Sequence, residues 1–252
     1  MAVCEIHTCS GNALNKMASF VAILPERKAG PYAVLYLLHG LSDDHTAWVR
    51  RTSIERYVGD LPLIVVMPNG ERGWYADAKG NPNSAFETFI TKDLVGFVDG
   101  TFQTISKRKG RAIAGLSMGG YGAFKLALQH PDLFCAAVSF SGALDMQARM
   151  DNRPDRSAEY GIIFGDRIAG TREDVLTLLK NSDPANRPAL WMSCGTEDGL
   201  IDDSRRAHKL MEALSIPHFY REDPGYAHAW NYWDTAIQDA LKFVTKEMSI
   251  ES

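Results

Sequence analysis

The sequence predicts an α/β fold with a mostly parallel central sheet and helices on both faces. Three observations lead there. Residues 32–38 and 63–67 are fully apolar runs without alternation, the pattern of strands covered on both faces. A charged, helix-length connection joins them, which parallel pairing requires. Residues 111–129 then read as strand, sharp turn and helix, with Gly115-Leu116-Ser117-Met118-Gly119 at the turn.

The elements follow in order. The first nine residues alternate apolar and polar positions and read as a strand, and residues 16–24 continue as a second. A turn over residues 25–31 leads into the 32–38 run, and Pro68-Asn69-Gly70 closes the 63–67 run. Between residues 84 and 105, Phe86, Phe89, Ile90, Leu94, Phe97 and Val98 recur at helical spacing, and Ser84 with Glu87 forms a capping box. Further strands are expected at 134–140 and 189–194. Residues 142–188 read as an irregular, charged, lid-like insert with one short helix near 172–180. Ala207, Leu210, Met211 and Leu214 mark a helix that Asp202 or Asp203 can cap, residues 218–221 a short strand, and Trp230 to Val244 a closing helix.

At 252 residues, with no linker or compositional break, the chain is expected to be one domain over 1–252. Its 45% hydrophobic and 23% charged residues suit a chain that buries a large core. A net charge of −4 gives no basic footprint, which argues against nucleic-acid or anionic-membrane partners. No apolar run approaches the ~20 residues of a membrane span, and the start lacks a basic, continuously apolar leader. A cytoplasmic location is expected. Cys4, Cys9, Cys135 and Cys194 show no metal-ligand spacing and read as free buried thiols. No metal and no cofactor are expected.

Chemistry concentrates at the 111–129 unit. Glycines two residues before and after Ser117 are needed because a Cβ there would collide with the neighbouring strand or helix. Such a turn exposes a serine hydroxyl and aims the first N–H groups of the following helix at whatever it attacks. A serine is a weak nucleophile without a base, and the base needs an orienting acid. His228, in the loop Pro224-Gly-Tyr-Ala-His-Ala-Trp230, is the candidate base. After the strand ending at Cys194 the chain offers Gly195-Thr196-Glu197-Asp198-Gly199; Asp198 is the first choice for the acid and Glu197 the second. His39-Gly40-Leu41-Ser42 follows the apolar strand expected beside that of Ser117, so the backbone N–H groups of Leu41 and Met118 are the candidate oxyanion donors. The pattern as a whole is that of an α/β-hydrolase, with reactive loops at the carboxyl ends of the strands.

His39-Gly40-Leu41-Ser42, Gly115-Leu116-Ser117-Met118-Gly119-Gly120, Cys194-Gly195-Thr196-Glu197-Asp198 and Gly225-Tyr226-Ala227-His228-Ala229-Trp230 resemble the esterase D family, especially its bacterial tributyrin esterase and acetylesterase branch. The similarity extends to Thr52-Ser53-Ile54-Glu55-Arg56-Tyr57 and Val66-Met67-Pro68-Asn69, nearly the whole chain. The resemblance implies Ser117, Asp198 and His228 as a triad, Leu41 and Met118 as oxyanion donors, small-molecule esters of short acyl chains as substrates and, often, a homo-oligomer. The expected activity is that of a serine carboxylesterase working through an acyl-enzyme. S-formylglutathione hydrolysis, feruloyl or acetylxylan ester hydrolysis and acyl transfer are the alternatives on the same triad. Ser141-Gly142-Ala143-Leu144-Asp145 stands where formylglutathione hydrolases commonly show a stretch containing Pro and Cys, which turns the expectation toward oxygen esters. Trp48, Trp74, Tyr75, Phe86 and Trp230 are the aromatic candidates for substrate contact.

Overall fold

The computed structural model describes residues 1–26 and 30–250. Its strands are β1 (Ala2–Ser10), β2 (Lys16–Leu24), β3 (Ala33–Leu38), β4 (Leu63–Pro68), β5 (Arg111–Leu116), β6 (Ala136–Phe140), β7 (Ala189–Gly195) and β8 (His218–Asp223). They form one sheet in the order β1-β2-β4-β3-β5-β6-β7-β8. β1 and β2 run antiparallel to each other, β2 runs antiparallel to β4, and every pairing from β4 to β8 is parallel. Part of the turn expected over 25–31 lies outside the described residues.

Each parallel step is bridged by helix. Helices α1 (Ala47–Arg51) and α2 (Ile54–Val58) fill the crossover from β3 to β4. The helix expected over 84–105 is α3 (Phe86–Thr88), a π-helical segment (Phe89–Leu94) and α4 (Val95–Thr101) in continuous succession. Helix α5 (Met118–Gln129) follows β5. The 142–188 segment is more regular than its sequence suggests, with α6 (Met146–Asn152), a 3₁₀ turn (Pro154–Arg156), α7 (Ser157–Phe164) and α8 (Val175–Asn181). All three helices run only seven or eight residues, too few for helical periodicity to stand out in the sequence. Helices α9 (Ile201–Ala213) and α10 (Trp230–Met248) complete the chain.

The central strands β3, β4, β5 and β6 bury both faces, which explains the unbroken apolar runs of β3 and β4. Val34, Tyr36 and Leu38 of β3 point to one side, with Phe89, Phe124 and Phe134 in the same cluster. Ala33, Leu35 and Leu37 point to the other, where Trp48, Ile54 and the Trp233, Ile237, Leu241 and Val244 stripe of α10 cover them. Burying each large side chain of this kind contributes roughly 1.5–3 kcal/mol.

Several local expectations change. The Ser84–Glu87 capping box does not form: Ala85 is the N-cap of α3 and no side chain caps it. Instead Asp77 accepts from the Thr88 N–H at 2.9 Å. Glu87 is turned inward, toward the fully buried Lys125 of α5 (3.0 Å) and His130 (3.0 Å), and it also pairs with Arg172. Lys125 in turn meets Glu173 at 2.7 Å. Burial alone would raise the Glu87 carboxyl, but the His130 hydrogen bond and the Lys125 and Arg172 charges hold it well below the usual range. A buried lysine needs carboxylate partners, and that demand overrides a cap worth about 1 kcal/mol.

Asp202 and Asp203 lie inside the first turn of α9, whose N-cap is Leu200, so they face the helix dipole without capping it. Of the four thiols, Cys135 and Cys194 are buried and free as expected. Cys4 is half-buried and Cys9 exposed, because both sit on the edge strand β1.

Candidate active site

The strand register gathers the predicted residues at one end of the sheet. Leu38 of β3 pairs with Gly115 of β5, and Leu116 pairs with Phe140 of β6, so the chain leaves β3 and β5 side by side. Ser117 follows at once, its N–H donating to the Phe140 carbonyl at 2.9 Å. Its backbone sits at φ 54° and ψ −115°, a region that non-glycine residues rarely occupy. The flanking glycines make this turn possible. A Cβ on Gly115 would lie 2.3 Å from the Gly119 carbonyl oxygen, and one on Gly119 would lie 2.6 Å from that of Leu38. The half-buried Ser117 faces a cavity of about 600 Å³ that His228 also lines.

His228 is set by the two strands beyond. Beta-strands β7 and β8 end together, with Gly195 opposite Asp223. The loop after β8 then folds back across β7: the Glu197 N–H donates to the Tyr226 carbonyl at 3.0 Å, and the Gly225 N–H to the Thr196 hydroxyl at 3.1 Å. Gly195 permits the crossing, since a Cβ there would sit 2.1 Å from the Tyr226 carbonyl oxygen. The result brings His228 Nδ1 to 2.8 and 3.0 Å from the two carboxylate oxygens of Asp198.

Asp198 is 2% exposed, and its Oδ1 also accepts from the Leu200 N–H at 2.8 Å. Burial pushes its carboxyl up, yet the His228 hydrogen bond and charge, with smaller help from the Ser141 hydroxyl and the Leu200 N–H, hold it below the usual range. An ionised carboxylate can only accept, so Nδ1 carries a proton, and in the neutral ring Nε2 keeps a lone pair. The Trp233 indole and the imidazole pack at right angles, 4.9 Å between centroids.

The loop after β3 lies against the serine. A Cβ on Gly40 would come 3.7 Å from that of Ser117 and 2.7 Å from a Leu116 methyl. The loop is held by His39, 1% exposed, whose Nδ1 lies 2.7 Å from the Gly40 carbonyl while Nε2 accepts the Gly70 N–H at 2.9 Å. This pairing assigns the proton to Nδ1. Burial lowers the His39 pKa, which keeps the ring neutral and able to donate and accept at once. Tyr75 adds a hydrogen bond to the His39 carbonyl at 3.0 Å. Among the described residues, neither the Leu41 nor the Met118 N–H has an acceptor.

A family model described as putative esterase matches residues 11–244. The chain belongs to that family. It is 27% identical to an acetyl esterase of Caldicellulosiruptor saccharolyticus, over 98% of this chain and 99% of the relative. Among solved structures it is similar to the substrate-bound fluorophosphonate-binding serine hydrolase FphF of Staphylococcus aureus, with a TM-score of 0.87 and 31% identity over 96% of this chain and 98% of that one. It is also similar to the S-formylglutathione hydrolase FrmB of Staphylococcus aureus in its apoenzyme form, with a TM-score of 0.84 and 30% identity over the same shares. The protein is a serine esterase, a carboxylic-ester hydrolase on an α/β-hydrolase fold.

The aromatic walls expected of this esterase require correction. Trp230 lines the cavity. Trp48, Trp74 and Tyr75 are at most 1% exposed and lie behind it. Trp48 packs between Phe140 and Trp230, Trp74 among Tyr121, Tyr160 and Phe164, and Phe86, 2% exposed, sits against Gly73. These rings fill core and support the site from behind. Residues the sequence did not single out take their place on the walls: Arg51, Arg72, Arg149 and Arg156, with Ser42 and Asp43. Their scattered positions carry no local signal. Among the described residues, no helix is long and apolar enough to cross a membrane.

Proposed function

We propose that the esterase hydrolyses short-chain carboxylic esters, with Ser117 as nucleophile, His228 as base, Asp198 as its orienting acid, and the N–H groups of Leu41 and Met118 as oxyanion donors. The observation that carries this reading is the Asp198–His228 pair, 2.8 Å at its shortest, opening onto the cavity that Ser117 lines at a strained turn. Ser117 Oγ attacks the ester carbonyl while its proton passes to His228 Nε2, and Asp198 supports the imidazolium that forms. The carbonyl oxygen takes up negative charge against the two free N–H groups, each worth roughly 3–4 kcal/mol where such donors have been measured. Collapse breaks the bond to the alcohol, which leaves with the proton from His228. Water then attacks the acyl-Ser117 bond, giving its proton to His228, and the acid departs as Ser117 recovers its hydrogen.

The short-chain preference is supported by the resemblance to the tributyrin esterase and acetylesterase branch and by similarity to an acetyl esterase. Similarity to FrmB supports thioester hydrolysis as a second activity of the same triad. The reading takes 1–252 as one domain in which 142–188 covers the site, and Arg149 and Arg156 on the cavity wall support that role. It leaves the catalytic partner as a small molecule and needs no metal or cofactor. A panel of p-nitrophenyl acetate, butyrate and octanoate, methyl ferulate and S-formylglutathione tests it. Acetate and butyrate turning over fastest, with a burst of p-nitrophenol, is the expected result. Octanoate or ferulate leading the series would overturn the short-chain assignment.

A further inference from the structure

The cavity wall is cationic in a chain whose net charge is −4. Four arginines line it against one carboxylate, that of Asp43. Arg72 is neutralised by Glu159 at 2.8 Å. Among the described residues Arg51, Arg149 and Arg156 make no close ion pair, although Arg149 feels the charge of Asp203 and Arg156 that of Asp155. Two carboxylates of the covering segment pair closely with other arginines: Asp155 with Arg153 at 2.7 Å and Asp145 with Arg206 at 2.7 Å.

Two of these guanidinium groups also carry buried donors without acceptors, Nε of Arg149 and Nη1 of Arg156. A buried charged donor left unpaired is costly. Arginine presents a planar fork of donors suited to carboxylate or phosphate oxygens. Arg149 comes from α6 and Arg156 from the 3₁₀ turn that follows, so one short stretch of the covering segment supplies both to the cavity that holds Ser117 and His228.

We infer that the preferred substrate is an ester bearing an anionic group, a carboxylate or a phosphate, bound by Arg149 and Arg156 while its ester carbonyl meets Ser117. This rests on the esterase reading above and narrows its substrate class. The anion pairs with the guanidinium groups that Arg149 and Arg156 present to the cavity, and the cationic wall draws it in from solution.

The test compares paired esters whose chief difference is charge. On the alcohol side the pairs are p-acetoxybenzoate against its methyl ester, and p-acetoxyphenyl phosphate against p-acetoxyanisole. On the acyl side the pair is the p-nitrophenyl monoester of adipic acid against its methyl-capped diester. The wild type should show kcat/KM for at least one anionic member about tenfold or more above its neutral partner, as expected for a charged hydrogen bond. The preferred arm identifies carboxylate or phosphate, and acyl or alcohol side. That ratio should fall toward one in Arg149→Gln/Arg156→Gln. A trimethylammonium analogue of the acetoxyphenyl ester should be the poorest substrate of the wild type, a measurement that needs no variant. Equal rates for anionic and neutral partners in every arm, or a preference retained by the double variant, overturns the inference and leaves the esterase reading standing. No turnover of any ester overturns both.

Discussion

Asp198 meets His228 Nδ1 with both carboxylate oxygens, at 2.8 and 3.0 Å, while the adjacent Glu197 is exposed and contributes its backbone N–H to Tyr226. Both lie in the turn that follows β7, where the Asp198 N–H donates back to the Gly195 carbonyl, and the turn buries Asp198 while leaving Glu197 in solvent. Asp198→Asn should leave the protein folded by circular dichroism yet lower kcat by as much as ~10⁴-fold, because the amide holds the imidazole in the wrong tautomer. Glu197→Gln should stay within a few-fold of the wild type, and a crippled Glu197→Gln would move the acid by one residue.

Ser117 and His228 are proposed to act as one unit, so their losses should not multiply. Ser117→Ala and His228→Ala should each abolish nearly all ester hydrolysis, with the double variant little worse than either. Single-turnover kinetics on p-nitrophenyl acetate measures this, and multiplying losses would show two independent contributions.

Gly119 has no room for a methyl group, since a Cβ would stand 2.6 Å from the Leu38 carbonyl oxygen and 2.7 Å from that of His39. Both obstacles are backbone and cannot rotate away. Gly119→Ala should therefore lower stability by roughly 1–3 kcal/mol, in the range of core overpacking, and displace the loop carrying Leu41. A fall in Tm together with a loss of kcat is expected. An unchanged melting curve would mean that α5 can shift away from β3 at little cost.

Asp203 gives a pH dependence of definite sign. Burial pushes its carboxyl up to about 6, against the pull of the Asp145 N–H and the Arg206 charge. A carboxyl raised in the folded state above its unfolded value near ~3.9 penalises folding once it ionises. The penalty is absent below the unfolded value, grows between the two, and is complete above the folded one. Asp203→Asn removes it, so the variant should exceed the wild type in stability by about 3 kcal/mol at about pH 8 and match it at about pH 4. Urea unfolding at both pH values checks this, and a variant weaker than the wild type at the higher pH refutes the sign.

The sequence by itself determined the succession of strands along the chain, the sharp turn at Ser117 and the residues that follow each strand end. Those features are written locally: unbroken apolar runs need cover on both faces, and glycines at 115 and 119 are the residues that the clearances of 2.3 and 2.6 Å require. The tertiary structure alone decided what surrounds the serine. Trp48, Trp74 and Tyr75 look like wall residues in the sequence and are core, because a large ring near a reactive loop serves either purpose and only packing chooses. Glu87 reads as a helix cap and instead neutralises Lys125, a partner 38 residues away that no local pattern reveals. Arg51, Arg72, Arg149 and Arg156 are scattered through charged segments with no shared spacing, and they become one wall only when α1, the loop after β4, α6 and the 3₁₀ turn converge above the strand ends. Local patterns encode what each residue's neighbours in the chain demand, whereas a cavity's charge is the sum of side chains that meet only in space.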